Sequence, residues 1–340
     1  MKKIVCFGEI MMRLNPEGYL RFTQADKFMT SYAGGEANVA VSLANYGMNS
    51  YFVSKVPSHE IGQASLNQLR KYGVDTSKVL RGGDRLGLYF VEKGASQRSS
   101  KVIYDRKYSA VSMAEPDEYD WENILNGADW FHFTGITPAI SEKAAKACLD
   151  ACKYAKAASI TVSCDLNYRR NLWPRERAQI IMSELMKHVD VCIANEEDAH
   201  DIFGISAKDT DVSNGIISPE GYIQVAREIQ KRFGCERVAI TLRGSISAND
   251  NNWAAMLYEN DVAYFSNNYL IHIVDRVGGG DSFGGALIYS ILSEQDSQTT
   301  IDFATAASCL KQTIEFDFNH VSIAEVEALM KGNASGRVIR

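Results

Sequence analysis

From residue 130 onward the chain repeats one pattern: a short apolar run, a polar turn, then a longer segment with apolar residues at helical spacing. Strand-like residues 130–134 precede a helix over 141–157, and 160–164 precede a helix over 175–187. Residues 189–194 precede a short helix, residues 206–219 read as a loop, and a helix over 220–233 leads to a strand at 238–242. Short strands near 254–258 and 262–265 and helices over 299–312 and 323–330 complete this half. Strands that alternate with helices pair in parallel, because the helix carries the chain back along the sheet. The expectation is an α/β fold: a doubly wound, mainly parallel sheet with helices on both faces. Residues 3–7 supply a first strand, 51–56 a further one, and a helix spans 62–72 up to Gly73.

Residues 86–112 break the rhythm, with strand-like 86–91 and 101–104 joined by a polar turn and no helix between them. Together with part of residues 13–32 they read as a small β-sheet lid outside the main sheet. Residues 1–340 are therefore read as one domain with that lid, from about 13–32 and 86–112.

In doubly wound sheets, ligands bind beyond the carboxyl ends of the strands. Glu9, Thr134-Gly135, Asp165, Asn167, Arg169, Asn195, Asp198 and Arg243-Gly244 all follow strand-like runs, which predicts one cleft along one sheet edge. Two glycine-rich elements open helices in the same setting. One is Ala33-Gly34-Gly35-Glu36-Ala37-Asn38. The other is Asp275-Arg276-Val277-Gly278-Gly279-Gly280-Asp281, followed by apolar Ala286, Leu287, Ile288, Ile291 and Leu292. Free N–H groups and the positive end of the helix dipole meet at such a start, which suits a phosphate or a developing negative charge. Asp281 is either a first-turn helix charge or a catalytic base. Neither element is a Walker A or a G-x-G-x-x-G sequence.

A net charge of −6 argues against a nucleic-acid surface, and no apolar run approaches the length of a membrane span. The seven cysteines form no C-x-x-C pair, so they read as reduced, buried thiols of a cytoplasmic protein rather than as a zinc site.

Gly34-Gly35-x-x-Asn38 and Asp275-x-x-Gly278-Gly279-Gly280-Asp281 together resemble the signatures of the ribokinase-like (PfkB) carbohydrate kinases, with Gly279 where the family motif has alanine. Further stretches are similar to the family's 2-keto-3-deoxygluconate kinase subgroup: Gly87-Leu88-Tyr89-Phe90, Tyr104-Asp105-Arg106, Asp165-Leu166-Asn167-Tyr168-Arg169 and Asp317-Phe318-Asn319. The resemblance covers essentially the whole chain. It implies an ATP-dependent kinase acting on that keto sugar acid, with fructokinase or a non-catalytic sugar sensor as alternatives.

By the same resemblance, Asp281 is the base, and Gly278, Gly279 and Gly280 stabilise the transferring phosphoryl group. Gly34, Gly35, Asn38, Tyr89, Tyr104, Arg106 and Arg169 face the sugar. Asn167, Asn195, Thr241, Arg243, Gly244, Gly278 and Gly280 face ATP. Asn195 and Asp198 hold Mg²⁺ through water, although the acid of the family's N-x-x-E element is Asp198 here, one methylene shorter. Asp275 holds a K⁺ ion or pins its loop. The implied assembly is a homodimer or higher homo-oligomer formed through the lid.

Overall fold

The structure is a computed structural model that describes residues 1–195, 197–206 and 219–332. The expected loop over 206–219 lies almost wholly outside the described residues.

The core is a nine-stranded sheet. Parallel pairing runs through Arg237–Ser245, Val191–Asn195, Thr161–Asp165, Trp130–Thr134, Lys3–Phe7 and Asn49–Val53. Asp250–Glu259 continues it antiparallel, with Val262–Phe265 and Tyr269–His272 both paired to that strand. Period-two alternation feeds two cores, one on each face. Ile4 and Cys6 join the one built from helices Gly35–Asn45, Gly279–Leu292 and Ser297–Lys311. Val5 and Phe7 join the one built from Glu142–Ala157, Arg175–Met186 and Pro219–Phe233. Because strands buried on both faces have no polar side, they read in sequence as continuous apolar runs. All seven cysteines are buried and unpaired. No helix among the described residues is long and apolar enough to cross a membrane.

The lid is a separate four-stranded sheet, ordered Met29–Ala33, Met11–Asn15, Gly87–Glu92, Lys101–Asp105. Two departures from the sequence reading have simple causes. The apolar run 51–56 divides at Ser54: Asn49–Val53 stays in the main sheet, while Lys55–Val56 pairs with Leu80–Arg81. The strand expected to end at Leu242 runs on to Ser245, because its antiparallel partner extends it past the parallel neighbours.

Candidate active site

Thr134 and Asp165 are register partners at the carboxyl ends of neighbouring strands, and so are Asn195 and Thr241. They lie under a cleft of about 580 Å³ bounded by the lid on one side and the glycine turn on another, a size suited to small ligands. Gly34, Gly35, Asn167, Arg169 and Arg243 line it as well. Gly244 does not line it. Its strand has by then left the parallel sheet, and a Cβ there would face Asn252.

Helix Gly279–Leu292 starts at the floor of the cleft. Its N-cap, Gly278, has φ +82°, and a Cβ there would come within 2.0 Å of the Asp317 carbonyl oxygen, so only glycine fits. The first-turn N–H groups of a helix have no intrahelical acceptor. That of Gly279 turns back to the Arg276 carbonyl at 3.3 Å. The three-glycine nest is thereby reduced to Gly278 and Gly280, with the N–H of Asp281 beside them. Gly280 faces open space, with nothing within 4 Å of a Cβ built on it.

Asp281 sits in this first turn, and its Oδ2 accepts from Asn38 Nδ2 at 2.6 Å. The N–H of Gly34 donates to Asn38 Oδ1, which fixes which end of the amide faces Asp281. Asn38 therefore orients the carboxylate. Gly34 packs so closely on the Glu9 carbonyl that a Cβ would lie 1.9 Å from its oxygen. Desolvation in the cleft, together with the Asp317 and Glu36 carboxylates, pushes the Asp281 pKa up to about 7, against the Asn38 bond and the Arg169 charge. A carboxyl so poised suits proton transfer near neutral pH.

Glu36, which follows the two glycines, is a site residue that the sequence pattern does not announce. It is buried, and its Oε1 accepts from the Thr134 N–H, the Thr134 hydroxyl and the Thr137 hydroxyl at 2.6–2.9 Å. It ties the start of helix Gly35–Asn45 to the strand end beside it.

On the lid, Tyr89 and Tyr104 are cross-strand partners, stacked with ring centroids 6.1 Å apart. Tyr104 is exposed towards the cleft mouth, whereas Tyr89 is buried and donates its hydroxyl to Asp317 Oδ2 at 2.9 Å. Arg106 is buried too, with Nε donating to Glu9 Oε2 at 2.8 Å and Nη2 to the same oxygen. One edge of the guanidinium is therefore taken by Glu9, and Nη1 has no protein acceptor among the described residues. Arg169 remains exposed in the cleft, where its charge reaches Asp165 and Asp281.

The expected metal residues are turned to local duties. Asn195 Oδ1 accepts from the N–H groups of Glu197 and Asp198, both at 2.9 Å, and Asp198 Oδ1 accepts from the Tyr168 N–H at 3.0 Å. Glu196, within the same element, lies outside the described residues. Among the described residues no three acidic, His or Cys side chains converge tightly enough to chelate a metal. Burial pushes Asp165 well up, and the nearby Asp198 and Asp281 carboxylates push it further. Such a concentration of hard oxygen donors suits a hydrated divalent cation.

Asp275 is an ion-pair partner rather than an open cation ligand. Its Oδ2 accepts from Arg13 Nη2 at 2.6 Å and from the Phe316 N–H at 3.2 Å, and its Oδ1 accepts from the Val277 N–H at 3.1 Å. Arg13 Nη1 reaches Asp317 at 2.8 Å. Of the two expected roles, pinning the loop is the one these bonds display, with Arg13 as the counter-charge of Asp275.

The pfkB family carbohydrate kinase pattern matches residues 1–313. The chain is 51% identical to a crystal structure of a 2-dehydro-3-deoxygluconokinase from Thermotoga maritima, which covers 98% of this chain and 100% of that one with a TM-score of 0.94. It is 31% identical to a 2-dehydro-3-deoxygalactonokinase of Haloferax volcanii, over 98% of both chains. It is 30% identical to a 2-dehydro-3-deoxygluconokinase of Thermoproteus tenax, over 97% of this chain and 95% of the relative. With the two glycine-opened helices, the lid and the carboxylate-floored cleft in place, the chain belongs to the pfkB family of carbohydrate kinases.

Proposed function

We propose that this chain transfers the γ-phosphoryl group of ATP to the terminal hydroxyl of 2-keto-3-deoxygluconate, giving 2-keto-3-deoxy-6-phosphogluconate. The observation that carries the phosphoryl-transfer reading is Asp281: a carboxylate with a pKa near 7, held by Asn38, in the first turn of a helix opened by glycines. In this reading Asp281 takes the hydroxyl proton as the oxygen attacks. The N–H groups of Gly278, Gly280 and Asp281 stabilise the charge of the transferring group where it develops. Arg243, Thr241 and Asn167 belong to the nucleotide side of the cleft, and Tyr104, Arg106 and Arg169 to the sugar side. Mg²⁺, held through water by Asp165 and Asp198, would supply charge neutralisation on the phosphates.

Two features favour a sugar acid over a neutral hexose. Exposed Arg169 and the Nη1 edge of Arg106 are cationic donors on the cleft wall, and a guanidinium is matched to a carboxylate. Relatives at 51% and 30% identity bear the name of the gluconate enzyme. The relative named for the galactonate epimer supports a second reading in which both C4 epimers are accepted. ATP-dependent turnover of 2-keto-3-deoxygluconate, 2-keto-3-deoxygalactonate and fructose tests this. The expected order of kcat/KM places both sugar acids above fructose. A higher value for fructose overturns the sugar-acid reading and leaves the kinase reading standing. The apolar outer surface of the lid further supports a homodimer formed there.

A further inference from the structure

The glycine turn is held from behind by one helix. Lys311, on the last turn of helix Ser297–Lys311, has a fully buried side chain. Its ammonium donates to the carbonyl oxygen of Asp275 at 3.2 Å and to that of Val277. Three residues earlier, the Ser308 hydroxyl donates to the carbonyl oxygen of Gly279 at 2.7 Å. The next backbone carbonyl, that of Gln312, accepts from the N–H groups of Val274 and Asp275 at 2.9 and 3.2 Å.

In a trans peptide, the C=O of one residue and the N–H of the next point in opposite directions. Drawing the Val277 carbonyl back onto Lys311 therefore aims the Gly278 N–H away from that helix, and drawing the Gly279 carbonyl onto Ser308 does the same for the Gly280 N–H. Gly278 and Gly280 line the cleft. The helix thus fixes the two peptide planes whose N–H groups the site uses. The charges around the turn also balance: Arg13 and Lys311 against Asp275 and Asp317.

We propose that Lys311 is a positioning residue for the phosphoryl-binding turn, acting as a cation built into the chain. It spares the turn a free monovalent ion. This rests on the phosphoryl-transfer reading of the turn. If the wild type phosphorylates no sugar with ATP, that reading fails and the role of Lys311 falls with it; if it does, the variants below decide the role of Lys311 alone.

Replacing Lys311 by Met keeps the buried stem and removes the charge. Lys311→Met is expected to lower kcat roughly 10- to 100-fold, the cost of a slightly misplaced site. Its KM values should stay within about threefold of wild type, because ground-state contacts are untouched. Ammonium or K⁺ should restore much of the loss, whereas tetramethylammonium, too large for the space left, should not. A purely structural lysine would give lower thermal stability with no cation-specific recovery of kcat. An unchanged kcat, or a loss that no small cation restores, overturns the proposal. If Lys311→Met does not fold by circular dichroism, the wild type decides in a cation series at fixed ionic strength. The proposal stands if tetramethylammonium replaces K⁺ without loss of rate, and falls if K⁺ is required. Ser308→Ala, which removes the second clamp without changing charge, should lower kcat in the same direction with no recovery by cations.

Discussion

At the scale of single residues, Asp281 and the glycines before it carry the sharpest expectations. As a base, Asp281 must be ionised, so kcat/KM should fall as the pH drops through about 7. Asp281→Asn should lower kcat by ~10²–10⁴ and abolish that limb of the profile. The stability sign is opposite. Its folded pKa stands above the ordinary 3.8, so the folded state retains a proton that the unfolded chain has released, and stability is lost as pH rises through that window. Asp281→Asn should therefore melt no lower than wild type above neutral pH, a difference that closes in acid. A wild-type rate in this variant would dismiss Asp281 as the base. The glycines separate by environment. Gly278→Ala meets the Asp317 carbonyl at a left-handed backbone position, so it should lower the melting temperature. Gly280→Val meets no protein atom within reach of its Cβ, so it should fold normally and lose turnover, by roughly 10²-fold if the branched side chain displaces a phosphoryl oxygen from its donors. If Gly280→Val retains full activity, the turn is only a helix start.

At the scale of elements, the two cationic groups of the sugar side should behave differently. Arg106→Ala leaves Glu9 buried without its counter-charge and should cost about 3–5 kcal/mol of stability, visible as a large drop in denaturation midpoint alongside any rise in KM. Arg169→Ala removes an exposed side chain and should raise KM for the sugar acid tens-fold or more, the cost of an unpaired carboxylate, with the melting curve unmoved. Equal stability losses in the two variants would contradict this assignment. The Glu9–Arg106 pair also marks the limit of what the chain discloses before folding. Apolar runs, glycine-opened helices and the carboxyl-end rule were enough to bring Asp281, Gly278 and Arg169 to one cleft, because those signals are local, whereas Tyr104 was indicated only by the family resemblance. Arg13 and Asp317 stand 304 positions apart and Glu9 and Arg106 97 apart, so no periodicity links them. Their charges read in sequence as solvated or catalytic until tertiary contact pairs them. Asn195 is ambiguous for another reason: the same residue type serves as helix cap or metal neighbour, and only the folded chain shows its Oδ1 accepting from the N–H groups of Glu197 and Asp198. Gly244 lies within a strand rather than just after one, because an antiparallel partner lengthens that strand, which a parallel pattern does not foretell.

At the scale of the whole molecule, the lid is the part least reconciled with a lone chain. The main sheet is covered by helices on both faces, whereas the lid's outermost strand, Lys101–Asp105, is exposed along its whole length. Its Val102, Ile103 and Tyr104 are 42%, 53% and 42% exposed. Ile103 lies opposite Phe90 in the adjacent strand, and Phe90 packs edge-on against Phe22 and Phe28. An unpaired edge beside clustered aromatic rings is the kind of surface that proteins cover with another chain. We propose a second copy of this chain as the cover, since an isologous interface needs only a self-complementary patch. Tyr104 and Val102 border the cleft as well, so a partner seated there would steady the wall of the site. Sedimentation equilibrium at micromolar concentration should then give twice the 37.7 kDa of the single chain. Ile103→Asp places a carboxylate in the middle of the patch and should shift the protein to monomer while circular dichroism stays unchanged, with kcat/KM for the sugar acid falling as the lid loses its support. A wild type that sediments as a monomer, or an Ile103→Asp variant that remains a dimer, would remove the lid from the interface.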